Sequence, residues 1–146
     1  VATAECAGAS RALVESPDLV TNLRALEPDG FNAVFDGSGG PHALDNLDAL
    51  QRRGCLVVFG NAGGDTPPVD LDRLATGSYF LTKTMSRDYV DTTDRWRTIA
   101  SEVMRQVSAG ALTPVLGGTW PLADAAGAHS YLESRRSTGK LLLSTR

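Results

Sequence analysis

Cysteine is scarce in this chain: Cys6 and Cys55 are the only two among 146 residues, and neither belongs to a C-x-x-C pair. Two are too few for a disulfide framework, and the missing pair removes the usual signature of thiol redox chemistry or structural zinc. A reducing cytoplasm is the expected compartment. Histidine is as sparse, with His42 and His129 alone. A catalytic zinc generally takes three protein ligands and a water, so no metal site is expected. No G-x-S-x-G elbow accompanies the serines, which leaves nucleophilic hydrolysis without support. No apolar run approaches the roughly 20 residues that cross a bilayer, and Val1 opens without a charged or signal-like stretch, so no membrane association is expected. An excess of positive charge is also missing: 14 Lys and Arg stand against 17 Asp and Glu, a formal charge of -3, which offers no surface for nucleic acid.

What is present fits an ordinary globular protein. Hydrophobic residues make up 42% and charged residues 21%, and the length suits one domain over residues 1–146 with a true hydrophobic core. The chain begins "VATAE" with no initiator Met, as a processed chain or a piece of a longer one would.

In "PDLVTNLRALE", Leu19, Val20, Leu23 and Leu26 share one helical face, Pro17 suits a first turn and Ser16 a cap, predicting a helix over 17–26. "PDG" breaks it. Phe31, Ala33, Val34 and Phe35 then form a short apolar run typical of a strand covered on both faces. Ala43, Leu44, Leu47 and Leu50 recur at helical spacing ahead of Arg52, Arg53 and Gly54, predicting a helix over 41–53. "CLVVFG" at 55–60 is a second buried strand. Strand, helix and strand with short joints call for a parallel crossover. After the looser stretch "NAGGDTPPVDLDRLATG", "SYFLTK" gives a third strand. Trp96, Ile99, Ala100, Val103, Met104 and Val107 form a regular stripe that predicts a helix over 94–109 with Trp96 and Met104 in the core. "PLADAAGAHSYLESRR" predicts a last helix and "KLLLST" a closing strand. The fold class is α/β: a Rossmann-like parallel sheet flanked by helices and incomplete at its N-terminal side.

Ligands of open parallel sheets settle beyond the carboxyl ends of the strands, where helix N-termini present unpaired N–H groups. Two glycine loops are expected there. Gly37, Gly39 and Gly40 in one, and Gly60, Gly63 and Gly64 with Asn61 in the other, would let backbone approach a flat ring or a phosphate. "GSGGPH" departs from the dinucleotide fingerprint G-x-G-x-x-G, with His42 where its last glycine would stand. A glycine-rich turn without ligand is the plain alternative.

"GFNAVFDGSGG", "GCLVVFGNAGG", "SYFLTKTMSRDYV" and "PLADAAGAHSYLESRRSTGKLLL" follow one another in an order and spacing that resemble the medium-chain dehydrogenase/reductase superfamily, in its zinc-free quinone oxidoreductase branch. The resemblance spans about residues 31–146. It implies a nicotinamide cofactor, NADPH or NADH, on the Rossmann part of a two-part protein. The pyrophosphate fingerprint would lie upstream of Val1, "VATA" would stand for the second strand, and the loop after Phe35 would face the nicotinamide. It also implies that Asp36 and Gly37 meet cofactor from the first loop, that Phe59, Gly60 and Asn61 do so from the second, and that Arg135 of "ESRR" lies near the cofactor phosphate. The strand within 78–83 is similar to the edge through which family members pair into homodimers. A missing N-terminal catalytic domain is the other expected partner, and a small molecule with a conjugated carbonyl the expected hydride acceptor.

Some features depart from that pattern. Only about a dozen residues separate "VATA" from the first helix, so part of the adenosine wall is expected to be deleted. Glu5 and Ala9 stand where NADPH enzymes of the branch place a small polar residue and a lysine. An acidic group there favours a ribose 2'-OH over a 2'-phosphate. "TKT" stands in place of "TRP" after the edge strand.

Among other residues, Asp36 is expected to cap the following turn more readily than to act as an acid. His42 would neighbour a helix cap, His129 would pack on an alanine-rich face, and Cys55 would be an inert filler. Tyr89 would line a pocket or pack at a helix start. Two functions remain open at this stage. One is the cofactor-binding part of a quinone or enoyl reductase, without full activity by itself. The other is a degenerate Rossmann module that has lost nicotinamide and serves small-ligand binding, cofactor-independent rearrangement or dimer assembly.

Overall fold

A computed structural model describes residues 1–146. The chain is α/β, with parallel sheets and flanking helices, and its contacts gather into two compact units, Val1–Thr92 and Thr93–Arg146.

The first unit contains α1 (Ala2–Cys6), α2 (Leu19–Leu26), β1 (Phe31–Asp36), a 3₁₀ helix (Ala43–Ala49), β2 (Leu50–Val58), α3 (Leu71–Ala75), β3 (Phe80–Lys83) and a 3₁₀ turn (Ser86–Asp88). β1, β2 and β3 form one sheet in that order, parallel throughout, with Val34 opposite Leu56 and Leu56 opposite Leu81. Because side chains alternate along a strand, Val34, Leu56, Val58 and Leu81 share one face. That face meets Ala43, Leu44 and Leu47 of the 3₁₀ helix, and this is where the core sits.

The opposite face differs from expectation. Phe35 is 71% exposed and Phe80 63% exposed, so β1 is covered on one side, not two. The continuous apolar run arises from a strand whose second face finds no cover within its own unit.

Several local readings also change. Ala2–Ala4 of "VATA" lie in α1, with Val1 at its N-cap position, so this stretch is helical and not a strand. The helix expected over 41–53 is seven residues of 3₁₀ helix, and the chain is already in β2 at Leu50. Arg52, Arg53 and Gly54 therefore do not end a helix. They belong to an irregular stretch of β2, where the pairing jumps from Phe31 with Leu50 to Ala33 with Cys55. Arg53 takes a φ of 62° there, and its N–H reaches the Gly77 carbonyl at 2.7 Å. Cys55 is half-buried.

Arg24 fixes α2 against the start of β2. Its guanidinium donates to the carbonyls of Asp48 at 2.8 Å, Leu50 at 2.7 Å and Pro28 at 3.2 Å. Three carbonyls at one junction are bound by one planar fork.

The second unit contains α4 (Thr93–Ser108), β4 (Leu116–Pro121), a 3₁₀ turn (Leu122–Asp124), α5 (Ala125–Glu133) and β5 (Lys140–Ser144). β4 pairs with β5 in parallel, joined through α5. Glycines at 117 and 118 hide β4 from a sequence reading. The Asp124 carboxylate caps α5 by accepting from the Gly127 N–H at 3.2 Å. Trp120 and Tyr131 join β4 to α5, with ring centroids 5.3 Å apart. α4 matches its predicted span, yet its stripe is open: Trp96 is 60% and Met104 62% exposed. A two-stranded sheet and one short helix are too little to cover sixteen residues of helix. His129 is exposed, and Ala128 beside it takes the buried position.

Candidate functional site

β1 and β2 are parallel, so the loops that leave them open at the same end of the sheet. They interlock. The Phe59 N–H donates to the Asp36 carbonyl at 2.9 Å and the Gly63 N–H to the Ser38 carbonyl at 2.7 Å. Asp36, Gly37, Phe59, Gly60 and Asn61 are thereby brought to one place, as expected.

The glycines let the two loops come together there. A Cβ on Gly60 would fall on the Gly37 carbonyl, and one on Gly40 would lie 2.5 Å from the Gly63 oxygen. The two backbones approach each other closely. A Cβ on Gly37 would meet the Phe59 ring at 3.0 Å, so that ring covers the first loop.

Asp36 organises the turn. One carboxylate oxygen accepts from the Ser38 N–H at 2.8 Å and the Gly39 N–H at 2.9 Å, and the other accepts from the Asn46 amide at 3.4 Å. The capping role is the observed one. These two amides are occupied within the turn, and the helix that follows is a short 3₁₀ segment, so the loop lacks the free, aligned N–H groups of a phosphate cradle.

Beside this turn a groove of about 850 Å³ opens within the first unit. Leu13, Pro17, Val20, Val34 and Phe35 give it an apolar side, while Glu15, Asp36, Asp45, Asn46 and Asp48 supply oxygen and amide groups. A volume of this size, with an apolar side opposite hydrogen-bonding groups, suits a small molecule that carries both a flat ring and hydroxyls. Gly37 lines the groove as well, whereas Phe59, Gly60 and Asn61 do not. His42 stands at the N-terminal boundary of the 3₁₀ helix without a capping hydrogen bond and faces Asp45 at 3.0 Å, its side chain 85% exposed.

Arg135 lies in the second unit, just past α5, with φ 58° and its N–H on the Leu132 carbonyl at 3.2 Å. A smaller cavity of about 390 Å³ in that unit is lined by Leu132, Gly139, Lys140 and Leu141 and carries no convergent polar set. Tyr89 follows the 3₁₀ turn Ser86–Asp88, is 64% exposed and lines neither cavity. Sequence reasoning missed Leu13, Glu15 and Asn46 as groove residues. Their only signal was proximity to the first helix and the first glycine loop.

The profile of zinc-binding dehydrogenases matches residues 8–143. The chain belongs to the zinc-binding dehydrogenase family. Solved structures similar to it include a mycobacterial protein complexed with NADPH, at 36% identity and TM-score 0.85, covering 96% of this chain and 44% of that one. A quinone oxidoreductase of Pseudomonas syringae pv. tomato is 31% identical at TM-score 0.86, with coverages of 97% and 45%. A quinone oxidoreductase of Escherichia coli complexed with NADPH is 30% identical at TM-score 0.77, with coverages of 88% and 41%. No curated protein matches. The chain spans less than half the length of these structures and corresponds to the Rossmann-like, nucleotide-binding part of medium-chain dehydrogenases/reductases.

The zinc of the family's name has no matching donor set here: no three His, Cys, Asp or Glu side chains gather where a metal ion would be held. A nicotinamide dinucleotide fits in part. The groove has the apolar wall and the hydrogen-bonding groups for rings and ribose hydroxyls, while the turn beside it is poorly equipped for phosphate. No helix is long and apolar enough to cross a membrane.

Proposed function

We propose that this zinc-binding dehydrogenase chain forms the cofactor-binding part of an NAD(P)H-dependent oxidoreductase that passes hydride to a conjugated carbonyl, as in quinone or enoyl reduction. The observation that carries this reading is the groove of about 850 Å³ at the carboxyl end of β1, bounded by the Asp36–Gly39 turn, where ligands of parallel sheets settle. Family membership and the NADPH in two similar structures support it.

In this reading Asp36 and Gly37 border the cofactor, and Phe59, Gly60 and Asn61 hold the second loop against theirs. The dihydronicotinamide, when bound, supplies the hydride. The chain's own residues bind and orient it: the Leu13 and Val20 wall excludes water from one ring face, and the Asp36 carboxylate keeps the turn in register. Substrate binding and turnover draw on further residues, such as an N-terminal catalytic domain. β3 lies at an edge of its sheet, and an open edge of this kind supports pairing of two copies into a homodimer.

Fluorescence titration with NADH and NADPH tests the reading. Saturation in the micromolar range is expected, and no response to either at millimolar concentration would overturn it. Sedimentation velocity tests the dimer, a monomer at all concentrations being the contrary result.

A further inference from the structure

β1 is an edge strand, since the sheet order is β1, β2, β3. Asp36 lies opposite Val58, and its carbonyl accepts from the Phe59 N–H, so Val34 and Asp36 turn their backbone groups to β2. These groups alternate along a strand, so the N–H and C=O of Ala33 and Phe35 point the other way. No backbone partner meets them. The usual guards of an open edge are lysine, proline or a very short strand; β1 has six residues, FNAVFD, and neither of those residue types. The groove of about 850 Å³ is lined by the consecutive residues 34–39 of β1 and its turn. Leu13 and Glu15, which also line it, belong to an irregular segment, and Arg11–Glu15 make no backbone hydrogen bond either. Two stretches of unpaired backbone therefore border one groove.

Strand addition satisfies such groups: an extended segment supplies main-chain partners, and the surfaces that receive its alternate side chains select its sequence. Leu13, Pro17 and Val20 offer apolar contact. Glu15 is exposed without an ion pair of its own, and no Lys or Arg lines the groove. We propose that the outer edge of β1 is a docking site for an extended segment of polypeptide that alternates apolar residues with lysine or arginine. The similar structures have more than half of their length outside the span matched here, and a counterpart of that remainder supplies the segment. The added strand extends the three-stranded sheet to four. The inference goes beyond the cofactor reading, because it rests on the main chain of Ala33 and Phe35 and not on the Asp36–Gly39 turn.

The test titrates the chain with a peptide of about eight residues, long enough for one strand, that alternates valine and lysine, and with its valine and glutamate counterpart, while amide hydrogen exchange is followed by NMR. The lysine peptide should saturate at least tenfold more tightly than the glutamate peptide at low salt, and it should slow exchange of the Ala33 and Phe35 amides. Phe35→Pro removes an outward N–H at an edge position, where proline is accepted. Its Leu47 and Leu56 methyl signals should be retained while affinity for the lysine peptide falls at least tenfold. Glu15→Lys, at an exposed position, should narrow the preference between the peptides severalfold. Lack of saturation, equal affinity for the two peptides, or protection confined to other amides would overturn the inference. Self-association of the chain that is lost in Phe35→Pro would overturn it as well, by making a second copy the occupant. No nucleotide enters these measurements, so their failure leaves the cofactor-binding reading standing.

Discussion

Gly60 and Gly37 meet backbone to backbone, so that the position a Cβ would take on Gly60 is filled by the Gly37 carbonyl. This contact locks the two loops at the carboxyl ends of β1 and β2.

The contact predicts how glycine substitutions divide. Gly60→Ala forces the loops apart and should destabilise by about 1–3 kcal/mol, the usual range for an overpacked site. Gly64 has φ 96° and open space where its Cβ would be. Gly64→Ala should therefore cost only the left-handed backbone strain, about 1–2 kcal/mol. Urea denaturation checks both, and cofactor affinity should fall in the first variant alone.

Asp36 holds the Ser38 and Gly39 amides. Asp36→Ala leaves both without that acceptor, and a loss of about 1–2 kcal/mol is expected, as for removal of a capping side chain. Asp36→Asn retains the accepting oxygen and should cost less than half as much. Thermal melts of the two variants would show the order; equal losses would mean that the turn does not depend on those bonds.

Leu47 is fully buried in the core of the first unit, whereas Phe35 is 71% exposed. Leu47→Ala should lose about 2–5 kcal/mol through the cavity it leaves. Phe35→Ala should stay within about 0.5 kcal/mol, as exposed positions generally do. It lines the groove, so its effect is expected in cofactor titrations.

In α4 the Glu102 carboxylate is held below the ordinary glutamate pKa, first by Arg105 and then by Gln106, which donate to it at 2.7 and 2.6 Å. A lowered folded value means that the favourable contribution is present above the ordinary glutamate pKa and disappears as pH falls through the lowered one. A carboxyl-carbon NMR titration should give Glu102 a midpoint below that of an ordinary glutamate, and Arg105→Gln should raise it.

Legibility varied with the range of the interaction. The strands at 31, 55 and 80 and the long helix near 94 were each readable, because a local run of apolar residues and its turn residues specify them; the first long helix was readable too, but it starts at Leu19 after Asp18, not at Pro17 after a Ser16 cap. The 3₁₀ helix was misread as an α-helix. Its spacing, with Leu44 and Leu47 buried, is compatible with either, and β2 begins at Leu50, three residues before the expected helix end. β4 was missed because Gly117 and Gly118 carry no strand propensity. Its parallel pairing with β5 supplies what propensity does not. In the candidate site, Asp36 and Gly37 were legible as the end of an apolar strand. Glu15 and Asn46 were not, since nothing local marks two residues thirty-one positions apart as neighbours of one groove.

The sequence by itself determined the α/β class and the parallel crossover, along with the two glycine loops at one end of the sheet. Each follows from run lengths and turn chemistry within a few residues. Tertiary structure decided that the glycines accommodate each other's backbone, that the Asp36 carboxylate turns inward to its own amides, and that Trp96 and Met104 face outward. Those outcomes depend on which distant backbone, amide or side chain arrives within van der Waals reach, and a pattern of single residues carries no record of that.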